Sequence, residues 1–159
     1  MNYKSLLQVL LFSGILFISQ LRSVSAHCEI PCGIYGDSLR IDLIEEHIST
    51  IEKSMNTIID LSEEAEKNHN QLVRWITNKE EHASKIQKIV SQYFMHQRIS
   101  PQEPTEKTVY DKYVKQLTLL HKLQVYAMKA KQTTDTAYIS KLRNTLSEFE
   151  KSYFHTHTH

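Results

Sequence analysis

Apolar residues recur at steps of three and four along most of the chain, which is the pattern of amphipathic helices. The pattern predicts a first helix over 38–66 and a second over 69–97. A third helix is predicted to begin at Thr105, and a fourth carries the apolar positions of 137–153. Short connections between four such helices predict an all-α fold, an antiparallel up-and-down four-helix bundle over 38–154.

The helix ends are marked by residues with known preferences. Asp37 or Ser38 is suited to cap the first helix, and Pro101 and Pro104 end the second because proline cannot continue a helix. The positions expected to face the core in the first two helices are Leu39, Leu43, Ile44, Ile48, Ile51, Met55, Ile58, Ile59, Leu72, Val73, Ile76, Ile86, Ile89, Val90, Tyr93 and Phe94.

Composition agrees with long helices and excludes one class of partner. Three glycines and three prolines in 159 residues are too few for a turn-rich β fold. The net charge is +1, with acidic and basic residues mixed along the chain. Because no large basic patch is present in the sequence, nucleic acid is not expected as a partner.

The first 26 residues have the features of a secretory leader. Lys4 is followed by a mostly apolar stretch over 6–21, and Val24-Ser25-Ala26 fits a small-x-small cleavage site. Polar residues interrupt the apolar stretch, so it would make a poor permanent membrane span. We therefore expect a protein exported to the periplasm or secreted, without stable membrane association; an uncleaved anchor is the alternative.

Residues 27–37 form a short segment with metal-binding chemistry, which we call the hook. It contains the two cysteines of the chain, Cys28 and Cys32. Cleavage after Ala26 would give His27 a free α-amine, so that the amine, the imidazole, the Cys28 amide nitrogen and two thiolates could chelate one metal ion. Gly33 permits a backbone conformation that other residues resist. A local Cys28–Cys32 disulfide is the alternative, favoured by an oxidising compartment.

The hook sequence His-Cys-x-x-Pro-Cys-Gly-x-Tyr resembles the mature N-terminus of the nickel superoxide dismutases. The resemblance implies that the Cys28 and Cys32 thiolates, the Cys28 amide and the His27 amine form a plane around nickel, with the His27 imidazole in the axial position. It implies one nickel ion per subunit and disproportionation of superoxide to O2 and H2O2 by Ni(II)/Ni(III) cycling. It further implies a homohexamer, a leader peptidase and a nickel-loading factor.

Two tyrosines match residues that lie near the metal in that family. The tyrosine matching Tyr35 stands over the open face of the metal and limits access, and Tyr93 matches the second tyrosine. From the residues alone, Tyr93 is better explained as part of the helical core.

The sequence departs from the family pattern in its supporting residues. An acid near the start of the first helix can hold the axial imidazole in the family. Asp42 stands at the aligned position here, and Glu45 or Glu46 are alternatives. Where the family has a basic residue supplied by a neighbouring subunit, this chain has Asn78, with Arg74 about one helical turn away.

The histidines outside the hook show no established metal-ligand spacing in the helices. Glu45-Glu46-His47 and Glu80-Glu81-His82 lack the Glu-x-x-His spacing of di-metal bundles, so a second metal site is not expected. The tail His155-Thr156-His157-Thr158-His159 could gather nickel, or it could be a disordered end without a role.

The sequence thus predicts an oxidoreductase, a nickel superoxide dismutase. One alternative is an exported helical bundle that sequesters metal without turnover, since the hook would serve either role. A second is a structural secreted bundle closed by the disulfide.

Overall fold

A computed structural model of the chain describes residues 33–154, together with Tyr3. Within 33–154 the α-helices are α1 (Asp37–Ser62), α2 (Ala65–Lys88), α3 (Lys107–Gln132) and α4 (Ala137–Phe154). A π-helical segment, Ile89–Arg98, follows α2 without a break. The predicted leader 1–26, most of the hook and the tail 155–159 lie outside the described residues.

The helices form a four-helix bundle in which consecutive helices are neighbours. α1 packs against α2 and α4, α2 against α3, and α3 against α4. The apolar faces meet in one core because every helix carries aliphatic or aromatic residues at three- and four-residue steps. The fully buried large side chains are Phe94, Phe149, Ile44, Ile48, Ile51, Met55, Ile86, Leu120, Leu123, Ile139, Leu142 and Val90. The predicted all-α bundle is confirmed.

The helix boundaries differ in places from those predicted. α1 ends at Ser62 and α2 begins at Ala65, so their two-residue connection has the predicted length but lies four residues earlier than predicted. The residue that caps α1 is Gly36, and Asp37 is already helical. The predicted break is confirmed: the helix ends at Arg98, and Ile99 is extended before the two prolines.

Some apolar residues expected in the core are exposed. Leu39 is 57% exposed, Val73 63%, Ile59 45% and Ile76 39%. They fit the three- and four-residue pattern, but a bundle of this size covers only one stripe of each helix, and these residues lie at its margin or outside it. Among the described residues, no helix is both long and apolar enough to cross a membrane.

Buried polar side chains also make contacts between the helices. The Lys79 side chain, 4% exposed, donates hydrogen bonds to the carbonyls of Lys131 and Thr133, both at 2.9 Å, at the end of α3. A cation at this position satisfies carbonyls that the helix leaves unpaired. Between α1 and α2, the Nδ1 atoms of His47 and His82 are 3.2 Å apart, so one ring donates a hydrogen bond to the other.

Candidate metal centre and its attachment to the bundle

The structure describes the last part of the hook and its junction with the bundle. The predicted ligands His27, Cys28 and Cys32 lie outside the described residues. Gly33, the residue after Cys32, has φ +73°, in the left-handed region that glycine adopts at little cost. A Cβ atom added there would meet nothing within 4 Å, so the requirement for glycine is one of backbone conformation.

Asp37, the last residue of the hook, fixes the chain to the bundle. Among the described residues, its carboxylate accepts four hydrogen bonds. Oδ1 accepts from the Tyr93 hydroxyl and from Arg98 Nε at 2.9 Å. Oδ2 accepts from Arg98 Nη2 at 2.8 Å and from the Tyr153 hydroxyl at 2.9 Å. We call these four residues the Asp37 cluster; they join the start of α1, the π-helical segment and the end of α4.

The π-helical segment explains how two of these residues reach one carboxylate. Tyr93 and Arg98 are five positions apart, which in an α-helix would place them about 140° from each other around the axis. In a π-helix the hydrogen bond closes over five residues, so positions i and i+5 return to the same side. The amide of Ile99 makes such a bond to the Phe94 carbonyl at 2.9 Å. The wider turn therefore directs both side chains toward Asp37.

The electrostatics of the cluster favour a charged carboxylate beside neutral phenols. Burial raises the pKa of Asp37, but hydrogen bonds from Arg98, Tyr93 and Tyr153 outweigh it, and the pKa lies below its ordinary value of 3.8. Burial, followed by the hydrogen bond to Asp37, raises the pKa of Tyr153 to about 12 and also raises the pKa of Tyr93. At neutral pH the cluster is thus an aspartate–arginine ion pair with two protonated tyrosines.

The two predicted tyrosines occupy different environments. Tyr93 is 2% exposed, and its hydroxyl accepts a hydrogen bond from the Gly36 amide at 2.9 Å while donating to Asp37. Tyr35 is 56% exposed, and the Arg98 guanidinium carbon lies 4.1 Å from its ring centroid. The structure therefore brings Tyr93 to the hook backbone at Gly36, and Tyr35 to Arg98.

The sequence predicted neither Arg98 nor Tyr153 as a site residue; Tyr153 falls among the apolar positions of the predicted fourth helix, 137–153. Neither has a local signal, since Arg98 lies 61 residues from Asp37 and Tyr153 lies 116 residues from it. The five-residue spacing of Tyr93 and Arg98 even argues against a shared face in an ordinary helix.

The acids proposed to support the axial imidazole differ in their surroundings. Asp42 and Glu46 are exposed on α1. Glu45 is half-buried and accepts a hydrogen bond from Arg143 Nε at 2.8 Å. Glu45 is thus already paired with α4.

The residues at the position of the family's cross-subunit base lie on α2. The Asn78 side chain donates a hydrogen bond to Ser54 Oγ at 3.0 Å, which ties α2 to α1. Arg74 is exposed and lines the same surface groove as Asn78 and Trp75. Among the residues the structure describes, no group of three or more histidines and acids is arranged to hold a metal ion.

Comparison with known proteins decides the identity. Residues 22–157 match the family described as nickel-containing superoxide dismutase, and this span contains the hook, the four helices and the whole Asp37 cluster. The chain belongs to the nickel-containing superoxide dismutase family. Neither the curated proteins nor the solved structures compared with it gave a match.

Membership of this family confirms the central prediction from the sequence. The protein is an oxidoreductase that uses nickel as its cofactor and superoxide as its substrate. The family match supports catalytic turnover, and no observation favours the alternative of a bundle that only sequesters metal. The bundle of this dismutase holds Asp37, the last residue of the hook, through side chains from two other elements, the π-helical segment and α4.

Proposed function

We propose that the nickel of this superoxide dismutase is bound, one ion per subunit, by the hook after residues 1–26 have been removed. The ligands are the α-amine and imidazole of His27, the amide nitrogen and thiolate of Cys28, and the thiolate of Cys32. Thiolates together with nitrogen donors suit a square-planar nickel ion. Bound nickel supplies the one-electron redox couple by which two superoxide ions and two protons become O2 and H2O2.

The observation that carries this proposal is the attachment of the chain directly behind the ligands. Cys32 precedes Asp37 by five residues, and a chain of that length spans at most about 18 Å. Asp37 is held by a bidentate arginine and two tyrosine hydroxyls, which fixes the far end of this tether. A short tether on a fixed anchor limits the volume that the ligands can explore, and so lowers the entropic cost of gathering them around one ion.

Tyr35 is proposed to stand beside the open side of the metal and to limit which molecules reach it. It lies three residues after Cys32, and the residue is 56% exposed although its ring rests on Arg98. An exposed phenol in this position can keep larger molecules away from the metal, while small anions such as superoxide still reach it. Tyr93 is proposed to act on the site through the Gly36 backbone that it holds.

We further propose that the subunits assemble as a homohexamer that covers the hooks. The support in this chain is a run of exposed apolar side chains at the junction of hook and bundle: Ile34 is 72% exposed, Tyr35 56% and Leu39 57%. Apolar surface of this kind is typical of protein interfaces. Light scattering on the mature protein measures the assembly, and Leu39→Lys should weaken it.

The mature enzyme is proposed to be exported, with a leader peptidase and a nickel-loading factor acting before it becomes active. The support is the leader pattern of residues 1–26, which ends directly before His27. Cleavage is part of activation in this proposal, because an uncut chain has an amide where the amine ligand is required.

The deciding experiment combines N-terminal sequencing, nickel analysis and a dismutase assay on protein made with nickel present. We expect His27 as the first residue, about one nickel per chain and turnover that scales with nickel content. Cys28→Ser and Cys32→Ser should each abolish turnover and leave the helical circular dichroism unchanged. A matched control keeps both thiols and carries one extra alanine before His27, which should also remove activity. Full activity in any of these variants would refute the ligand set.

A further inference from the structure

The Arg98 guanidinium is hydrogen-bonded along one edge, and one of its flat faces lies toward the hook. Its Nε and Nη2 atoms donate to the two oxygens of Asp37 at 2.9 and 2.8 Å, and Nε also donates to the Tyr153 hydroxyl at 3.1 Å. The side chains of Arg98 and Asp37 are 26% and 19% exposed, so this paired geometry is largely shielded from water. A planar guanidinium bound on two donors of one edge has little freedom to rotate.

The free face of this guanidinium is where Tyr35 rests. The guanidinium carbon is 4.1 Å from the centre of the Tyr35 ring, a distance typical of stacking between arginine and an aromatic ring. Tyr35 belongs to the non-helical residues 34–36 and is 56% exposed, whereas Arg98 is fixed by the bundle. Arg98 therefore determines the position of the Tyr35 ring, and not the reverse.

We propose that Arg98 is a positioning residue of this dismutase, which orients the Tyr35 ring through stacking and so sets the access of anions to the metal. This inference rests on the proposed role of Tyr35 beside the nickel. The Asp37 carboxylate neutralises the Arg98 charge at 2.8 Å, so Arg98 acts by its flat shape and not as a cation that attracts superoxide from a distance.

Shape and charge can be separated with two substitutions in the nickel-loaded, assembled enzyme. Arg98→Lys keeps the positive charge but loses the planar guanidinium, and Arg98→Gln loses the charge and has only a smaller amide on a shorter side chain. If Arg98 positions Tyr35, both variants should lower kcat/KM by roughly three- to tenfold, because small misplacements near a reacting centre are costly. The dependence of kcat/KM on ionic strength should stay as in the unmodified enzyme.

A double-mutant cycle tests whether the effect passes through Tyr35. Tyr35→Leu removes the ring on which Arg98 stacks, so Arg98→Lys should cause little further loss in that background. Tyr153→Phe is a milder change, which keeps the ring and removes the hydrogen bonds of its hydroxyl with Arg98 and with Asp37. It should shift the same measurements in the same direction by about two- to threefold, and it serves where Arg98 variants fail to assemble.

A readout independent of turnover is the NMR signal of the Tyr35 ring in protein carrying 13C-labelled tyrosine, assigned by its loss in Tyr35→Phe. Arg98→Lys should shift this signal, and the signals of tyrosines distant from residue 98 should stay. The matched control is Arg143→Lys, an arginine on α4 that pairs with Glu45 and Glu52 and should alter neither kcat/KM nor the Tyr35 signal.

Three results would overturn the proposal. One is an Arg98→Lys enzyme with the kcat/KM and Tyr35 signal of the unmodified protein. Another is loss only in Arg98→Gln together with a weaker ionic-strength dependence, which would make Arg98 an electrostatic guide. The third is a double variant of Arg98 and Tyr35 in which the fold-loss of kcat/KM equals the product of the losses in the two single variants. Failure of the nickel-hook assignment would appear separately, as activity independent of Cys28 and Cys32, while the NMR test of positioning would stand.

Discussion

Replacing Asp37 by asparagine should loosen the anchor behind the metal site and destabilise the bundle. Asparagine has nearly the same shape, but one acceptor oxygen becomes an NH2 group. Each Asp37 oxygen accepts two hydrogen bonds, so two of the four are lost whichever way the amide turns. Arg98 also loses its counter-ion while only 26% of its side chain is exposed.

The expected cost is about 2–3 kcal/mol. Each lost hydrogen bond contributes about 1 kcal/mol net, and the partly buried unpaired guanidinium adds a comparable amount. Values near 5 kcal/mol apply to fully buried pairs, and the remaining exposure of both side chains reduces the estimate. With an m-value of about 1–3 kcal/mol per molar urea, the unfolding midpoint should fall by roughly 1 M or more.

The assay is urea unfolding followed by helical circular dichroism, at pH 7 and again in acid. Because the folded-state pKa of Asp37 lies below 3.8, its contribution is complete above that pH and is lost as the pH falls through the folded pKa. The difference between the unmodified protein and Asp37→Asn should therefore shrink in acid. Asp42→Asn, on an exposed residue of the same helix, is the control. Equal midpoints for the two variants at pH 7 would refute the anchor.

Three further predictions concern separate parts of the molecule. Gly33→Ala should lower nickel retention on dialysis severalfold, because a φ of +73° costs alanine about 1–2 kcal/mol. The control is Gly36→Ala, which should be tolerated because Gly36 has φ −133° and an added Cβ would make only ordinary contacts. Burial lowers the pKa of both His47 and His82, so the free energy of unfolding should decrease as the pH falls below about 6.5, and His47→Gln should flatten this dependence. Lys79→Met should lower the free energy of unfolding, measured in urea, by about 2 kcal/mol, because two carbonyls lose their hydrogen-bond donor.

Exposed residues of the same types provide the controls for the last two. His121→Gln on α3 should leave the pH dependence of unfolding as it is, and Lys122→Met should leave the midpoint unchanged. A pH dependence that persists in His47→Gln would assign it to groups other than the histidine pair. A neutral Lys79→Met would show that the carbonyls at the end of α3 find water in its place.

The cysteine-containing hook could be recognised from sequence because its chemistry is local. His27, Cys28 and Cys32 lie within six consecutive positions, and no tertiary contact is needed to bring them together. The helices were predictable for a related reason, since the apolar period reports which side of each helix is buried. The pattern failed at Leu39 and Val73, where an apolar residue fits the period but no neighbouring helix covers it.

The anchor behind the hook was decided by tertiary structure. Asp37 reads as a helix cap in the sequence, yet its carboxylate binds side chains that are 61 and 116 residues away. The π-helical turn that aligns Tyr93 with Arg98 depends on packing in the bundle and has no periodic signature of its own. A linear pattern can show which atoms are suited to nickel, whereas the position from which they are held depends on where separate helices end in space.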